Sequence, residues 1–448
     1  MRTGIIGGGV GGMAAAHELA KAGHAVDLFE RAPFLGGLAS TFDVGGGRLE
    51  RFYHHLFLSD VTIIDLLDEL GLKDRLIWED SKVGYFTHGR IHPFATAMDL
   101  LRFSPVSLVD RIRMGLVTLY IQRIRNWRRL EGATAAGYMR KWAGRRNYEE
   151  IWEPLLRGKF GKYAEQIGMP WLWSKFATRL TSRSGVLGRE KLGYITGSWQ
   201  VLIDALEQRI REMGGDVQTG VGVSRIETSD NRVTGLIIAR PDGTEERREY
   251  DVVIATVPSF LLPRLVDLPD DYRQKVEGID YEGAIAVIWV LSQSLSPIYW
   301  LNIADADIPF LLALEQTNLV PPSVYGGKHI LYTADYVTPD DHRWALSDDE
   351  LIAEYAQHLK KINPAFDLSW VERTHVHREG AAQPIMTTHF SGKIPPNRTP
   401  IDGLWLAAMS QIYPQDRGTN YSIRQGQDVA RALMREETAG TADTPASE

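Results

Sequence analysis

Two adjacent histidines, His54 and His55, lie in the segment FYHHLF of a 448-residue chain that has only twelve histidines. An imidazole can ligate a metal ion, exchange protons near neutral pH because its unperturbed pKa is about 6.5, or pack in a core. Neighbouring side chains of an extended segment point to opposite sides, so the two rings cannot readily bind one metal ion. The segment therefore predicts either proton handling by one histidine or core packing, with Phe52, His54 and Leu56 on the inner side.

A second histidine pair, His375 and His377, lies on one face of a predicted strand. Zinc is held by several imidazole, thiolate or carboxylate groups brought together. The chain has no cysteine, and no carboxylate pair stands beside these two histidines. We therefore interpret the pair as structural and predict no metal site in the chain.

Three glycines, Gly7, Gly9 and Gly12, follow a short apolar strand at GxGxxG spacing. The first permits a tight turn, the second lets the backbone approach a pyrophosphate, and the third lets a helix pack closely on the strand. The helix continues through Ala22, and its start offers unpaired N–H groups to phosphates. A second strand ends on Glu30, 18 residues after Gly12, about where an acid would bind ribose hydroxyls. These residues predict a dinucleotide-binding unit.

A glycine doublet, Gly36 and Gly37, follows Glu30 and Arg31 in the segment ERAPFLGGLAS. This arrangement resembles the motif that follows the dinucleotide fold in the flavoprotein superfamily of amine oxidases, protoporphyrinogen oxidases and carotenoid desaturases. The resemblance implies an α/β fold with a glutathione-reductase-like FAD-binding Rossmann domain and a second, mixed α+β substrate domain. It implies FAD as the cofactor. We expect FAD to be held non-covalently. The chain has no cysteine, which removes attachment of the flavin through a cysteine side chain.

The middle of the chain carries a further part of this resemblance. An amphipathic helix is predicted from Ser198 to Met213, then a strand with Val223, a hairpin that turns at Asp242 and Gly243, and a buried strand at residues 252–256. In the resembled family this block returns the chain to the FAD domain. The position of Val223 there contacts the adenine through its backbone.

The segment at residues 403–432 resembles the closing motif of the family, a strand ending in Ala-Gly-Asp before a helix whose N-terminus faces the flavin. Gly426 fits that helix, but the expected acid is absent because Met409 and Ser410 stand at the strand end. We expect Asp416, in the following loop, or a backbone group to take over the polar contact. Amides at the helix start would stabilise negative charge on the reduced flavin.

These motifs define the candidate site residues. In the resembled fold the chain after the glycine doublet passes beside the flavin ring, which is where the histidine pair lies. The candidate catalytic residues are His54, His55 and Arg417. The candidate cofactor-binding residues are Gly7, Gly9, Val10, Gly11, Gly12, Glu30, Arg31, Gly36, Gly37, Leu38, Val223, Met409, Asp416, Gly418, Asn420, Tyr421 and Ser422.

The resemblance also divides the chain into discontinuous domains. Residues 1–94, 195–284 and 381–435 are expected to form the FAD-binding domain, residues 95–194 and 285–380 the substrate domain, and residues 436–448 a disordered tail. The tail prediction rests on its small, polar and acidic composition.

A basic segment lies in the predicted substrate domain. Between residues 107 and 132 an apolar set (Leu108, Ile112, Leu116, Leu119, Ile121 and Ile124) alternates with a basic set (Arg111, Arg113, Arg123, Arg125, Arg128 and Arg129). We expect an amphipathic helix that packs its apolar side in the core and exposes its arginines. The alternative is a helix that lies on an anionic membrane surface.

Net charge and the lengths of apolar stretches limit which partners and which cellular locations we expect. The net charge is −7, with 50 basic and 57 acidic residues, so no general positive field attracts nucleic acid. The first residues run directly into a strand without the pattern of a secretion signal, and the most apolar helical stretch, at residues 114–121, is too short to span a membrane. We expect a cytoplasmic protein, with contact at the cytoplasmic membrane face left open.

Three functions remain open. The resemblance implies oxidation or desaturation of a small-molecule substrate, by hydride transfer from a C–H bond to flavin N5. UDP-galactopyranose mutases share this type of FAD fold and act without net redox change; the segment at residues 89–94, the arginine-rich stretch and Asn420 with Tyr421 are similar in style. An anionic substrate would account for Arg157, Lys159 and Lys162, which otherwise are solvated charges at a helix end. The third is a non-enzymatic flavoprotein that binds lipid through residues 111–129.

Overall fold

The structure, a computed structural model, describes residues 1–181 and 190–442. Its helices are α1 (Val10–Lys21), α2 (Val61–Glu69), α3 (Ala97–Arg102), α4 (Leu108–Arg123), α5 (Ala135–Trp142), α6 (Arg145–Asn147), α7 (Glu153–Phe160), α8 (Met169–Thr181), α9 (Gln200–Glu212), α10 (Asp270–Glu277), α11 (Asp348–Ile362) and α12 (Thr419–Ala442). Its strands are β1 (Arg2–Ile6), β2 (Ala25–Glu30), β3 (Thr41–Val44), β4 (Gly47–Glu50), β5 (Leu56–Phe57), β6 (Leu76–Asp80), β7 (Val83–Thr87), β8 (Arg90–Pro93), β9 (Lys191–Ile195), β10 (Asp216–Thr219), β11 (Gly222–Ser229), β12 (Arg232–Ala239), β13 (Glu245–Glu249), β14 (Val252–Ala255), β15 (Tyr281–Leu291), β16 (Trp300–Ile303), β17 (Leu312–Glu315), β18 (His329–Val337), β19 (Val371–Pro384) and β20 (Leu404–Leu406).

A five-stranded parallel sheet in the order β10, β2, β1, β14, β20 forms the predicted dinucleotide-binding unit. Its central strands are apolar and buried on both faces, as parallel strands require. One face packs against α1, α9 and α12, and the other against the antiparallel sheet β11, β12, β13. The strands of this sheet come from three separate stretches of the chain.

A seven-stranded mixed sheet in the order β19, β15, β18, β17, β16, β7, β8 forms the second unit. Helix α11 covers one face, and the other face packs on the five-stranded unit. Strands β7 and β8 lie in this sheet, because β7 pairs with β16 in register from Val83 to Phe86. The domain boundary predicted at residue 94 is therefore wrong for this hairpin, which belongs with the second unit.

Helices α3 to α8 form the predicted helical region, and their apolar core also includes side chains of β15, β19 and the segment after β19. The predicted packing of α4 is wrong for most of its apolar set but confirmed for Ile121. Met114 and Ile121 are buried, whereas Leu108, Ile112 and Leu116 are exposed to solvent. The helix has apolar residues on two sides, and it is the shorter set that faces the core.

The C-terminal helix α12 runs to Ala442, so residues 436–442 are helical rather than disordered. The rest of the predicted disordered tail, residues 443–448, lies outside the described residues, as do residues 182–189 of the predicted helical segment. Within the described residues, no helix has the length and apolar character that crossing a bilayer requires.

Candidate active site

The turn between β1 and α1 leaves space for a phosphate group. Gly7 has φ +110°, and a Cβ on Gly12 would lie 2.1 Å from the Gly7 carbonyl oxygen, so both positions require glycine. A Cβ on Gly9 would meet only the Gly37 Cα, at 4.0 Å. No side chain caps α1 at Gly9, so the N–H groups of Val10, Gly11 and Gly12 lack intrahelical partners. Gly9 also bridges to the glycine doublet, bringing both glycine motifs together.

Glu30 lies at the end of β2 beside this turn. Its carboxylate accepts hydrogen bonds from the backbone amides of Gly8 and Ala32, both at 2.7 Å. The amide of Val221 donates to the Glu30 carbonyl, which brings the predicted adenine-contacting residue Val223 to the same edge. Exposed Arg31 lies against Gly222. The predicted ribose and adenine residues are thus adjacent, with the carboxylate of Glu30 also holding the glycine turn.

Helix α12 starts close to the same turn. A Cβ on Gly426 would lie 2.0 Å from the Gly11 carbonyl oxygen, and one on Gly11 would lie 3.1 Å from the Ser422 carbonyl oxygen. The side chain of buried Asn420 accepts from the amide of Ile63 in α2. The closing helix therefore packs backbone to backbone on α1.

The remaining predicted cofactor residues lie around this junction. Leu38 is half-buried in the turn after the glycine doublet, Met409 is half-buried after β20, and Gly418 has open space apart from the Tyr421 ring at 3.7 Å. Burial raises the pKa of Tyr421.

The two histidines have different surroundings. His54 Nδ1 lies 2.6 Å from the Phe52 carbonyl oxygen, and because a carbonyl can only accept, Nδ1 carries the proton. Burial lowers the pKa of His54 to about 4, so the ring is neutral at pH 7. His55 lies 3.2 Å from the Tyr299 hydroxyl and packs against Trp300. The expectation of a relay near the ordinary histidine pKa does not hold for His54.

An ionic cluster forms around Asp416, in the loop before α12. Asp416 binds Lys159 of α7 at 2.9 Å and also binds Lys175 of α8. Burial alone would raise the pKa of Asp416, but Lys159, Lys175 and Arg417 outweigh it and hold this pKa well below its usual range. Both lysines bind the same oxygen of Asp416, and the polar flavin contact of this residue stays a prediction.

The ammonium group of Lys175 is surrounded by protein, although part of the side chain is exposed to solvent. Burial lowers its pKa to about 8, although Asp416 acts in the opposite direction. Yet 38% of its side chain is exposed. Part of the Lys175 side chain is therefore accessible from solvent. Lys159, by comparison, is 15% exposed and lies 4.8 Å from the centre of the Tyr336 ring.

Arg417 and Tyr336 form the second half of the cluster. Arg417 donates to the Tyr336 hydroxyl at 2.6 Å and to the Gln383 side chain at 3.3 Å. Tyr53 also hydrogen-bonds with Tyr336. Burial alone would raise the pKa of Tyr336, but Arg417 and Lys159 outweigh it and lower this pKa, while burial and Tyr336 raise that of Tyr53. The ionised form of Tyr336 is therefore favoured relative to an ordinary tyrosine, with Tyr53 remaining a hydrogen-bond donor.

Glu282 lies on the same face of the seven-stranded sheet as Tyr336, because Ala284 pairs with Tyr336 and alternate residues share a face. Its carboxyl is fully buried and has no hydrogen-bond partner in the part of the chain that the structure describes. Burial, followed by Asp335, raises its pKa to about 8. At neutral pH this carboxyl is mostly protonated and does not neutralise the lysines.

The cluster joins parts of the chain that sequence motifs did not connect. Arg417 is a predicted catalytic residue, and Lys159 and Tyr336 belong to segments considered for substrate binding. Lys175 was not predicted; a single lysine in the aromatic sequence WLWSKF of α8 is the only local signal. His375 and His377 pack on the Phe42 ring, as expected of structural residues. Among the described residues, no group of three possible metal ligands comes together.

Comparison with known proteins agrees with this geometry. Residues 10–434 match the family described as flavin containing amine oxidoreductase. The chain is 26% identical over 309 residues to the flavin-dependent L-tryptophan oxidase of Lentzea aerocolonigenes, covering 63% of this chain and 64% of that protein. It is 26% identical over 316 residues to the zeta-carotene desaturase of a Synechocystis strain, covering 62% and 63%. The solved structure of cyclohexylamine oxidase from Brevibacterium oxydans superposes with a TM-score of 0.72 at 16% identity, covering 98% of this chain and 99% of that one.

The chain belongs to the flavin containing amine oxidoreductase family. Its fold is the predicted α/β FAD-binding Rossmann architecture with a second domain. The predicted cofactor, FAD, fits the residues present, because Gly9 leaves open space beside the uncapped start of α1. The matched regions span just under two thirds of the length of these two curated relatives.

Proposed function

We propose that this chain is an FAD-dependent oxidoreductase that oxidises or desaturates a small molecule carrying a carboxylate or similar anionic group. One observation carries the proposal: three cations, Lys159, Lys175 and Arg417, surround one ionised carboxylate, Asp416. Enclosed charges of one sign are costly unless opposite charge is supplied. A substrate anion at the open side of Lys175 would supply it.

The surplus positive charge of the cluster favours carboxylate-bearing substrates over hydrocarbons. Of the two curated relatives, one is named for L-tryptophan, which carries a carboxylate, and the other for zeta-carotene, a hydrocarbon. A hydrocarbon offers nothing to the surplus positive charge of the cluster. We therefore place the substrate of this chain with the carboxylate-bearing class.

FAD, when bound, supplies the two-electron acceptor for the reaction. The residues of the chain have the tasks of binding, orientation and proton transfer. Lys175 binds the substrate anion, and Asp416 holds the ammonium group of Lys175 in position. Tyr336 takes up the proton that the substrate gives up, and it does so as the phenolate that the hydrogen bonds from Arg417 and Tyr53 stabilise. Buried Glu282 adds no second negative charge at neutral pH.

A nucleotide-sugar mutase is the alternative function that the sequence left open for an anionic substrate. Neither of the curated relatives named above is a mutase, so the oxidoreductase function is preferred. The two functions differ in their use of electrons: a mutase requires pre-reduced flavin and consumes no electron acceptor.

The cytoplasmic location of the protein stays a prediction.

The proposed function predicts flavin reduction by substrates of the right charge. We expect that anaerobic addition of a carboxylate-bearing amine, such as an aromatic amino acid, bleaches the flavin absorbance near ~450 nm. The matched amide or ester, which has the same shape without the negative charge, should bleach it far more slowly. Reduction by the neutral compounds alone would contradict the proposed substrate class, and turnover only after pre-reduction would favour the mutase reading.

Replacing Lys175 by methionine tests the anion site. We expect KM for the anionic substrate to rise roughly 10- to 100-fold at pH 7, the loss of one charged hydrogen bond worth about 1.5–3 kcal/mol. The pKa of Lys175 is lowered to about 8, so the group is charged below that pH and neutral above it. KM of the unchanged protein should therefore rise as pH increases through about 8, and Lys175→Arg should move this rise to higher pH.

Lys162 provides the matched control. It is an exposed lysine on the same helical region, paired at the surface with Asp340 at 3.2 Å. Lys162→Met should leave KM and its pH profile unchanged. If both variants raise KM equally, general electrostatic attraction rather than a defined anion site explains the substrate preference. Bound-flavin absorbance checks that each variant is folded.

A further inference from the structure

An apolar surface covers the outer side of α4. Its exposed side chains occur at positions 108, 109, 112, 116, 119 and 120, which fall in a sector roughly 120° wide at 3.6 residues per turn. Val109 is 75% exposed and Leu116 62%. This outer apolar face consists of Leu108, Val109, Ile112, Leu116, Leu119 and Tyr120, extended by Met98 and Leu101 of α3.

Internal contacts hold this face in place. Arg111 donates two hydrogen bonds of 2.8 Å to the carbonyls of Val106 and Leu101, which ties α4 to α3. Arg113 donates to the carbonyls of Trp142 and Lys141 at the end of α5. The exposed apolar residues are therefore presented by a fixed helix about 24 Å long, since each residue adds about 1.5 Å.

Positive charge surrounds the outer apolar face. Residues 97–129 contain seven arginines and two aspartates, a surplus of five positive charges in a chain whose net charge is −7. Both aspartates are occupied at helix starts, Asp99 by the amide of Thr96 and Asp110 by the hydroxyl of Ser107. The arginines at positions 123, 125, 128 and 129 are exposed and form no ion pair within residues 1–181 and 190–442.

We infer that the outer apolar face docks on an anionic lipid surface, with α4 parallel to the membrane plane. An exposed contiguous apolar patch of this kind marks an interaction site rather than ordinary protein surface. Apolar side chains enter the boundary between headgroups and acyl chains, while the arginines bind the phosphates. No spanning helix is required for this contact.

A second copy of the chain is a poorer occupant of the same face. In a two-fold dimer the same patch from each copy forms the interface. The arginine surplus of one copy would then lie against that of the other, and like charges brought together are destabilising. Lipid phosphates instead supply the opposite charge. Charge complementarity therefore favours a membrane over a second copy as the occupant of the outer apolar face.

Vesicle sedimentation with the FAD-loaded full chain tests this inference. We expect the protein to bind vesicles of phosphatidylcholine with phosphatidylglycerol, and to bind phosphatidylcholine alone at least about tenfold more weakly. The double variant Ile112→Ser with Leu116→Ser should lower binding to the anionic vesicles by at least about tenfold, because it removes apolar contact without adding charge. The variant Arg123→Gln with Arg125→Gln should weaken binding and its dependence on salt.

Leu368 provides the matched control, because it is 62% exposed, like Leu116, but lies on a different element. Leu368→Ser should bind vesicles like the unchanged protein. No binding to anionic vesicles, or equal loss in the Leu368 and α4 variants, would overturn the inference. So would a concentration-dependent dimer in light scattering that only the α4 variants dissociate. Vesicle binding needs no substrate, so its outcome is independent of the proposed chemistry.

Discussion

Replacement of Tyr336 by phenylalanine is expected to lower kcat by about 10²- to 10⁴-fold, the contribution of a positioned proton-transfer group. The variant loses only the hydroxyl that Arg417 and Tyr53 hold. The substrate anion still has Lys175, so KM should change little. FAD content should be unchanged, because Tyr336 lies on the seven-stranded sheet and not in the glycine turns.

Tyr332 is the control for this variant. It lies on the same strand and the same face of β18, but its hydroxyl donates only to the carbonyl of Glu50 at 2.6 Å. Tyr332→Phe should lower the free energy of unfolding by about 1 kcal/mol and leave kcat nearly unchanged. An equal fall of kcat in both variants would assign Tyr336 a packing role.

The pH profile separates proton transfer from packing more sharply. Arg417 lowers the pKa of Tyr336, so a phenolate forms at lower pH than in an ordinary tyrosine. Removing that cation in Arg417→Gln raises this pKa. The rising limb of kcat should therefore move to higher pH in Arg417→Gln and be absent in Tyr336→Phe. A limb that stays in place in Arg417→Gln would contradict the assigned role of Tyr336.

Local patterns predicted the nucleotide-binding half of the fold well. The helix after the glycine motif ends at Lys21, one residue before the predicted end, and the following strand ends on Glu30 as expected. These features depend on residue spacing within one strand or helix, where periodicity and glycine positions carry the information. The sequence could also place the closing helix, because Gly426 marks its contact with α1.

The ionic cluster could not be predicted in the same way. Lys159, Lys175, Tyr336 and Asp416 come from α7, α8, β18 and the loop before α12, and only the packing of the two units brings them together. No pattern along the sequence states which lysine pairs with which carboxylate. The pKa of each group then depends on burial that the tertiary structure decides.

The outer face of α4 shows a second limit of sequence reasoning. The helix carries apolar residues on opposite sides, Met114 and Ile121 on one and Ile112 and Leu116 on the other. Ile112 and Leu116 were expected to face the core together with Ile121. Only the shorter set does so, because Arg111 and Arg113 bind backbone carbonyls of neighbouring elements and fix the rotation of the helix.

Substitution of Gly426 by alanine is expected to destabilise the chain by about 2–4 kcal/mol and to lower its FAD content. The added Cβ would lie 2.0 Å from the Gly11 carbonyl oxygen and 3.2 Å from the Ala15 nitrogen. Both are backbone atoms of α1, so no side chain can rotate away and the two helices must separate. Because α1 begins at the phosphate-binding turn, this separation also displaces the cofactor site.

Gly115→Ala makes the comparison decisive, because Gly115 also lies inside a helix. A Cβ there meets only the Leu100 side chain, at 3.9 Å. Alanine at that position should stabilise the chain by about 0.5–1 kcal/mol, since glycine is a poor helix former. Denaturant unfolding should therefore give opposite signs for the two variants. If Gly426→Ala is also stabilising and retains FAD, the close contact of α1 with α12 is not what positions the phosphate-binding turn.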